Sequence, residues 1–363
     1  MKHAALVTES IQKLTPYPPG KPLSELAREL GVDEAIKLAS NENPFGPSPK
    51  AIAALSSAVS DLHRYPDGAS WSLRMRVARH LGVDPATLVF GTGSNEILEL
   101  LIRTFTGPGR GVVTSATTFV VYQLVSQAHG APFTAVPMRG LSYDLEAIAD
   151  AVTPNTRLIF LCNPNNPTGS LFSAADLDAF LARIGPEPVV ALDEAYWEFV
   201  EPSLRIDSLA VLQRRPRTVL LRTFSKAYGL AGLRVGYGVM DPELANYLDR
   251  VRQPFNVNTL AQVGAEAALD DVEYLERVVR DTHAGLAVIA DGLRALGLTP
   301  APTQANFVLF DCHREARPIY EALLARGVII RPMGAYGLTR HLRVNAGTPA
   351  ENARFLSTLA EAL

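Results

Sequence analysis

TLVFGTGSNEILELLIRTF, residues 87–105, joins two kinds of pattern and decides the fold. A short apolar run ends in a turn with two glycines, and a helical pattern follows directly. Similar runs recur along the chain with helical patterns between them: GVVTSA, APFTAVPM, RLIFLCNP, PVVALDEAY, TVLLRTFS and LRVGYGVM. Such alternation predicts an α/β fold in three layers, in which helices cover both faces of a mostly parallel sheet.

The alternating pattern divides the chain into three parts. Residues 45–250 carry it and are predicted to form a large domain. Residues 251–363 begin with long helical patterns and continue as a smaller C-terminal α/β domain, with strand candidates in NFVLFD, GVIIRP and LRVNAG. Its last helix is predicted to start with a capping box formed by Thr348 and Glu351. Residues 1–44 contain the stretch LTPYPPGKP and are expected to form an arm that joins the smaller domain or a neighbouring subunit.

The composition restricts the partners of the chain. The 363 residues have a formal net charge of −3 with both signs interspersed, which provides no basic surface for nucleic acid or an anionic membrane. No segment approaches the roughly 20 apolar residues that span a bilayer, and the start of the chain lacks a leader pattern. The two cysteines and seven histidines show no metal-ligand spacing. We therefore expect a cytoplasmic protein without a metal, whose partners are small molecules or its own copy.

Lys226 is the only lysine after Lys50, and small, apolar residues surround it. Most lysines are solvated surface residues, so an exposed side chain is the alternative interpretation. Burial at the end of a strand would instead penalise the ammonium form, and the neutral amine could then act as a nucleophile. Ser225 and Arg234 would add a hydroxyl and a guanidinium group, which are the donors that a phosphate needs beside that amine.

The glycine turn in FGTGSNEILEL, residues 90–100, is a second candidate phosphate site. Backbone N–H groups at the start of a helix, here around Gly93, Ser94 and Asn95, can bind a phosphate with the help of the helix dipole. Many ordinary strand-to-helix turns also contain such glycines. The turn does not match the dinucleotide-binding fingerprint, because Glu96 stands where that pattern has its third glycine.

Two further stretches place polar residues at the ends of predicted strands. Asp193 ends the buried run of VVALDEAYWEF, where a carboxylate needs a partner. It is either part of a structural ion pair or cap, or it faces a cationic ring nitrogen of a ligand to which Tyr196 also binds. Asn166, in the loop CNPNNPTGS, could donate to a ligand oxygen. All these residues lie at the carboxyl ends of predicted strands, the edge where open α/β sheets bind ligands.

The combination of SKAYGLAGLRVG, NPNNPTG and DEAY resembles the fold type I aminotransferases, which use pyridoxal 5'-phosphate, and the resemblance covers nearly the whole chain. It implies that Lys226 holds the cofactor covalently and moves a proton, and that Asp193 keeps the pyridine nitrogen protonated. Further contacts with the cofactor are implied for Gly93, Ser94, Asn95, Phe119, Asn166, Tyr196, Ser225 and Arg234. Relatives often have Pro-Thr-Tyr where this chain has Thr117-Thr118-Phe119, so the stacking ring would lack a hydroxyl.

Within that family, the histidinol-phosphate aminotransferases are most similar, through LASNENPFGP, RYPDG, RQPFNVNTLAQ, TQANFVLF and VIIRPMGAYGLTRHLRVNAGT. The resemblance implies that Tyr17, Asn43, Arg331 and Arg343 bind the substrate. It also implies that Tyr65 reaches the cofactor phosphate of a partner subunit, which requires a homodimer. The implied reaction passes an amino group from glutamate to imidazole-acetol phosphate and gives histidinol phosphate, a step of histidine biosynthesis.

Three other functions fit parts of the same pattern. An aromatic amino-acid aminotransferase would use Arg343 for an α-carboxylate. A threonine-phosphate decarboxylase shares much of the pattern but releases carbon dioxide. A ligand sensor in a transcription regulator would require an N-terminal DNA-binding domain, and only about 45 residues without a basic helix-turn-helix pattern precede the sheet. A substrate panel separates the first two functions from the implied reaction.

Overall fold

The computed structural model describes residues 3–16 and 35–363. Its strands are β1 Ile36–Lys37, β2 Leu88–Gly91, β3 Gly111–Ser115, β4 Phe133–Val136, β5 Thr156–Cys162, β6 Val189–Asp193, β7 Thr218–Thr223, β8 Gly236–Val239, β9 Thr299–Pro300, β10 Phe307–Asp311, β11 Val328–Ile329, β12 Arg331–Pro332 and β13 His341–Asn345. Its α-helices are α1 Glu9–Gln12, α2 Pro49–Ala58, α3 Trp71–Leu81, α4 Ser94–Phe105, α5 Val121–Ala128, α6 Leu145–Asp150, α7 Ala174–Ile184, α8 Ser208–Arg214, α9 Pro242–Val251, α10 Thr259–Leu269, α11 Val272–Ala295, α12 Ala316–Ala325 and α13 Pro349–Ala362.

The large sheet has seven strands in the order β2-β8-β7-β6-β5-β3-β4. The five strands β4, β3, β5, β6 and β7 run parallel, whereas β8 is antiparallel to both of its neighbours. Every residue of β6 is buried, and its side chains alternate between two apolar cores. Val190 and Leu192 belong to one core, and Val189 and Ala191 to the other. Helices therefore cover both faces of the sheet, and the predicted fold class is confirmed.

The smaller unit contains a four-stranded antiparallel sheet in the order β12-β13-β10-β9. Its core includes Leu38, Phe310 and Phe355, which come from distant parts of the sequence. Strand β1 pairs in parallel with β11, so the chain just before the large sheet takes part in the smaller unit. Helix α13 begins with the predicted capping box: the Thr348 side chain accepts from the Glu351 amide, and the Glu351 carboxylate accepts from the Thr348 amide.

Helix α10 follows residue 250, so the predicted boundary places it in the smaller domain. It nevertheless packs against α2 and α3 of the large domain. Its buried residues Ala261, Ala265 and Leu269 belong to the same apolar core as Val190 of the large sheet. The small side chains of TLAQVGAEAAL allow this close approach between helices. The boundary at residue 250 stays a prediction, and the packing of α10 favours a later one. Among the described residues, no helix combines the length and the apolar character that crossing a membrane requires.

Candidate active site

A cavity of about 460 Å³ lies at the carboxyl ends of β5, β6 and β7, between the two units. Parallel strands end at the same edge of a sheet, so residues from distant parts of the sequence meet there. Of the residues singled out in the sequence, the cavity lining contains Gly93, Ser94, Asn95, Phe119, Asn166, Asp193, Tyr196, Ser225, Lys226, Arg234, Arg331 and Arg343. The structure thus brings together twelve residues from both units, within reach of one small ligand.

Lys226 follows β7 and points its amine into this cavity, where Nζ donates to the backbone oxygen of Ser40 at 3.2 Å. The pKa of Lys226 is lowered from 10.5 to about 8, mainly by burial and also by the charges of Arg343 and Arg234, against the opposite effects of Glu42 and Asp193. Since its amine is deprotonated more readily than that of an exposed lysine, Lys226 is suited to nucleophilic attack and proton transfer.

Asp193 is the last residue of β6 and only 3% exposed. Its Oδ1 accepts from the amide of Ala195 at 3.2 Å, and its Oδ2 accepts from the hydroxyl of Tyr122 at 2.6 Å. Burial raises the pKa of Asp193 to about 6, although the Tyr122 and Ala195 donors lower it. A buried carboxylate at a cavity wall favours a cationic or N–H group of a ligand.

The start of α4 faces Arg234 across a narrow gap. Gly93 has φ +75°, and a Cβ atom at this position would lie 2.8 Å from Nη2 of Arg234, so any larger residue would fill the gap. Ser225 lies on the same side of the cavity, and its Oγ accepts from the hydroxyl of Thr223 at 3.0 Å. Backbone amides at the start of a twelve-residue helix, a hydroxyl and a guanidinium group together suit a phosphate.

Two arginines of the smaller unit also line the cavity. Arg331 in β12 and Arg343 in β13 are paired residues of adjacent strands. Nη1 of Arg343 donates to Oδ1 of Asn166, and its Nη2 donates to the backbone oxygen of Ala39 at 2.9 Å. Its guanidinium group also lies 5.0 Å from the ring centroid of Phe307. These contacts hold the guanidinium group of Arg343 in place at the cavity.

Two of the sequence-predicted residues that the structure describes, Tyr65 and Asn43, are not part of this lining. Tyr65 is 83% exposed and stacks on Phe255, with ring centroids 5.0 Å apart. Asn43 lies next to the site, where its Nδ2 donates to the backbone oxygen of Ala227 at 2.9 Å. Tyr17 lies outside the described residues. The roles implied for these three residues stay predictions.

The cavity also involves residues that the sequence did not single out. Asn41 is buried, and its Nδ2 donates to the hydroxyl of Tyr196 at 2.8 Å. The hydroxyl of Tyr122 donates to Asp193, and Tyr336 and Glu42 belong to the cavity lining. Of these residues, Tyr122 could have been found from the sequence. It lies three residues after Phe119, so the two side chains lie on the same side of a helical turn.

The comparisons with known proteins establish the family of the chain. The family model described as aminotransferase class I and II matches residues 33–359. Histidinol-phosphate aminotransferase 2 of Pseudomonas aeruginosa is 49% identical over 361 residues, which cover 99% of this chain and 98% of that protein. Histidinol-phosphate aminotransferase of Methylobacillus flagellatus is 49% identical over 356 residues, which cover 98% of this chain and 96% of that protein.

A solved structure is similar over almost the full length. The crystal structure of histidinol-phosphate aminotransferase from Sinorhizobium meliloti, in complex with pyridoxal-5'-phosphate, superposes with a TM-score of 0.91 and 33% sequence identity. The match covers 98% of this chain and 96% of that chain. These comparisons confirm the family, the fold class and the enzyme class that the motifs predicted. The chain belongs to the class I and II aminotransferases and, within them, to the family of the histidinol-phosphate aminotransferases.

Proposed function

We propose that this chain uses pyridoxal 5'-phosphate to transfer an amino group between glutamate and imidazole-acetol phosphate, which yields 2-oxoglutarate and histidinol phosphate. One observation carries the proposal. A single cavity is lined by Lys226 and the buried Asp193, and also by two arginines, Arg331 and Arg343. The first pair suits the cofactor, and the second pair suits substrates with a carboxylate or a phosphate.

The residues around α4 fit the phosphate of the cofactor. Only a glycine at position 93 leaves room between the start of the helix and Arg234, because a Cβ atom there would lie 2.8 Å from Nη2. We infer that Gly93, Ser94, Asn95, Ser225 and Arg234 hold this phosphate. Charge-assisted hydrogen bonds contribute roughly 1.5–3 kcal/mol each, so a few of them can supply much of the roughly 8 kcal/mol of micromolar binding.

The reactive end of the cofactor would meet Lys226 and Asp193. When bound, pyridoxal 5'-phosphate supplies an aldehyde that can bond to an amine and a ring that withdraws electrons from the substrate. Lys226 can form that bond because burial lowers the pKa of its amine to about 8. The same amine could also take a proton from the substrate carbon and return it. The negative charge of Asp193 would hold a proton on the ring nitrogen.

Tyr196 and Asn166 would bind the phenolic oxygen of the cofactor, and Phe119 would stack on its ring. Nδ2 of Asn41 donates to the hydroxyl oxygen of Tyr196 at 2.8 Å. Because an amide N–H already occupies that oxygen, the hydroxyl proton of Tyr196 remains available to a ligand in the cavity. Asn41 thereby fixes the direction in which Tyr196 donates.

Arg331 and Arg343 would bind the anionic end of each substrate in turn. A guanidinium group can donate two parallel hydrogen bonds to either a carboxylate or a phosphate. The same pair can therefore accept the side-chain carboxylate of glutamate and then the phosphate of the second substrate. Tyr17 and Asn43 are proposed to assist, as the resemblance implies.

We also propose a homodimer, in which Tyr65 reaches the cofactor phosphate of the other subunit. In one subunit Tyr65 lies outside the cavity and is 83% exposed. Large exposed apolar side chains lie on the neighbouring helices α2 and α3, among them Ile52, Trp71 and Met75. An exposed apolar surface of this kind is typical of a subunit interface. The cytoplasmic location stays a prediction.

A substrate panel tests the proposed reaction. We expect the purified protein with cofactor to show its highest kcat/KM with imidazole-acetol phosphate and glutamate. Higher values with phenylpyruvate would establish an aromatic aminotransferase instead, and release of carbon dioxide from threonine phosphate would establish a decarboxylase. Either result contradicts the proposal.

Two arginine variants sharpen this test. Arg331→Gln should lower kcat/KM for the phosphorylated substrate more than for phenylpyruvate, since it removes a phosphate donor. Arg340→Gln is the matched control, because Arg340 is exposed and already paired with Asp311 at 3.0 Å. Equal losses with both substrates in Arg331→Gln would argue against a phosphate-binding role for this residue.

A further inference from the structure

We propose that Tyr122 is a positioning residue that keeps the proton shared by Asp193 and the cofactor ring on the ring nitrogen. The inference rests on the proposed function and concerns a residue that does not itself line the cavity. It follows from what Tyr122 contacts, from how firmly its ring is held, and from the environment of the carboxylate that it serves.

The first observation is the hydrogen bond itself. The hydroxyl of Tyr122 donates to Oδ2 of Asp193 at 2.6 Å, and both residues are buried. Distances of about 2.5–2.7 Å are typical of a hydroxyl that donates to an ionised carboxylate. The other carboxylate oxygen accepts from the amide of Ala195 at 3.2 Å. Each oxygen thus has one donor from the protein and retains acceptor capacity for a ligand in the cavity.

The second observation is that other aromatic rings, rather than the hydroxyl, hold the Tyr122 ring. It stacks on Phe160 with centroids 4.5 Å apart and an interplanar angle of 3°. The edge of a second ring, that of Phe119, approaches it at 5.7 Å and 87°. A phenylalanine at position 122 would keep both ring contacts, so Tyr122→Phe removes only the donor.

The third observation is the environment of the carboxylate. Burial favours the neutral form of Asp193 and raises its pKa to about 6, whereas the hydrogen bond from Tyr122 lowers it. Burial and the charge of Asp193 both hold the pKa of Tyr122 well above its ordinary value, so the hydroxyl remains a donor. Without that donor, Asp193 would bind a proton more tightly.

These observations bear directly on the ring nitrogen. A carboxylate with greater proton affinity would draw the shared proton away from the nitrogen, and the ring would withdraw electrons less strongly. The hydroxyl of Tyr122 acts against this transfer by stabilising the negative charge on Asp193. If the hydrogen bond only satisfied a buried hydroxyl, its loss would change stability alone.

The test uses the protein reconstituted with pyridoxal 5'-phosphate that carries ¹⁵N in its ring. In the wild type, we expect the ¹⁵N resonance at the position of a protonated pyridine. In Tyr122→Phe, we expect it to move toward the unprotonated position and turnover to fall about 10- to 100-fold, as the loss of one hydrogen bond to a buried charge implies. The cofactor should stay bound, since its phosphate contacts are unchanged.

Tyr143→Phe is the matched control. The hydroxyl of Tyr143 lies 2.7 Å from that of Thr118 and accepts from the amide of Cys162. Tyr143→Phe therefore also removes a hydrogen-bonded tyrosine hydroxyl, but one that does not donate to Asp193. We expect this variant to keep the wild-type ¹⁵N position. An unchanged ¹⁵N position in Tyr122→Phe, or an equal shift in both variants, would overturn the inference, even if Tyr122→Phe melts at a lower temperature.

Failure of the proposed function would look different. If the wild-type protein does not bind the labelled cofactor, both the proposed function and the role of Tyr122 are overturned. If it binds the cofactor with a protonated ring nitrogen and only the Tyr122→Phe result disagrees, the role of Tyr122 alone is overturned.

Discussion

Asp193 and Glu194 are neighbours in the sequence and both are buried, yet they lie in opposite environments. Asp193 faces the cavity, and the donors to its oxygens are the neutral Tyr122 hydroxyl and Ala195 amide. Glu194 forms an ion pair with Arg222, with Nε and Oε2 2.9 Å apart and both side chains buried. One carboxylate is left for a ligand, whereas the other is neutralised within the protein.

The surroundings of Glu194 show that its charge is paired within the protein rather than available to a ligand. The guanidinium group of Arg222 lies 3.9 Å from the ring centroid of Trp197, and that of Arg205 lies 4.2 Å from it. Burial opposes the charge of Arg222, but Glu194 holds the pKa of this guanidinium above its ordinary value. A buried charge with a direct partner is neutralised within the protein and is costly to unpair, whereas a buried charge beside a cavity is available for chemistry.

Among variants of the cavity residues, Lys226→Ala is expected to lower turnover the most. Turnover should fall at least about 10⁴-fold, because the variant lacks both the amine nucleophile and the proton carrier. Borohydride should fix the cofactor covalently in the wild type but not in the variant. The variant should remain folded, since within the described part of the chain Lys226 donates a single hydrogen bond, to the backbone of Ser40. Covalent fixation of the cofactor in Lys226→Ala would contradict the assignment.

Asp193→Asn should lower turnover by about 10²- to 10³-fold, the usual cost of removing one electrostatic group from a catalytic site. The amide has nearly the shape of the carboxylate but cannot stabilise a proton on the ring nitrogen. Cofactor affinity should change less, because the phosphate contacts remain. Steady-state kinetics and a cofactor titration measure the two effects, and turnover close to the wild-type value would refute the role of Asp193.

Arg222→Met should act on stability rather than on chemistry. It leaves the Glu194 carboxylate buried without its partner, which costs about 3–5 kcal/mol of unfolding free energy. The double variant Glu194→Gln with Arg222→Met should recover part of this loss. Urea unfolding measures the free energies, and turnover per folded molecule should stay near the wild-type value. Arg317→Met is the control: Arg317 pairs with Glu321 at the surface, where such a pair contributes about 1 kcal/mol or less.

The smallest expected effect is a pH dependence of the unfolding free energy of the cofactor-free protein. The pKa of Lys226 is lowered from 10.5 to about 8 in the folded state, so the unfolded chain binds more protons between these two values. The wild type should therefore lose stability relative to Lys226→Met as the pH falls from 10.5 to about 8, and the difference should then level off. Urea unfolding of both proteins at several pH values tests this, and a constant difference would contradict the burial of a charged amine.

The sequence predicted most of the cofactor side of the cavity. Asn166, Asp193 and Lys226 each follow an apolar run, and the ends of parallel strands meet at one edge. Parallel strands end at that edge whatever their order in the sheet. The antiparallel direction of β8 was not predicted, because a short buried strand has the same apolar pattern in either direction.

The contacts between distant segments could not be predicted in this way. The hydrogen bond between Asn41 and Tyr196 depends on where the chain lies after β1, and that depends on the pairing of β1 with β11. Likewise, alternation along a strand places Asp193 and Glu194 on opposite sides, but it does not reveal which side faces the cavity. The partner of each carboxylate comes from another element: Tyr122 from helix α5 and Arg222 from strand β7.

The pairing of β1 with β11 has a consequence for synthesis of the protein on the ribosome. Ile36 pairs with Val328, and the Ile36 amide donates to the carbonyl of Gly327 at 2.8 Å. About 290 residues separate the two strands, and at about 5–20 residues per second the early strand waits roughly 15–60 s for its partner. The large sheet can assemble during that interval, whereas the wall that carries Asn41 cannot close until β11 has been made.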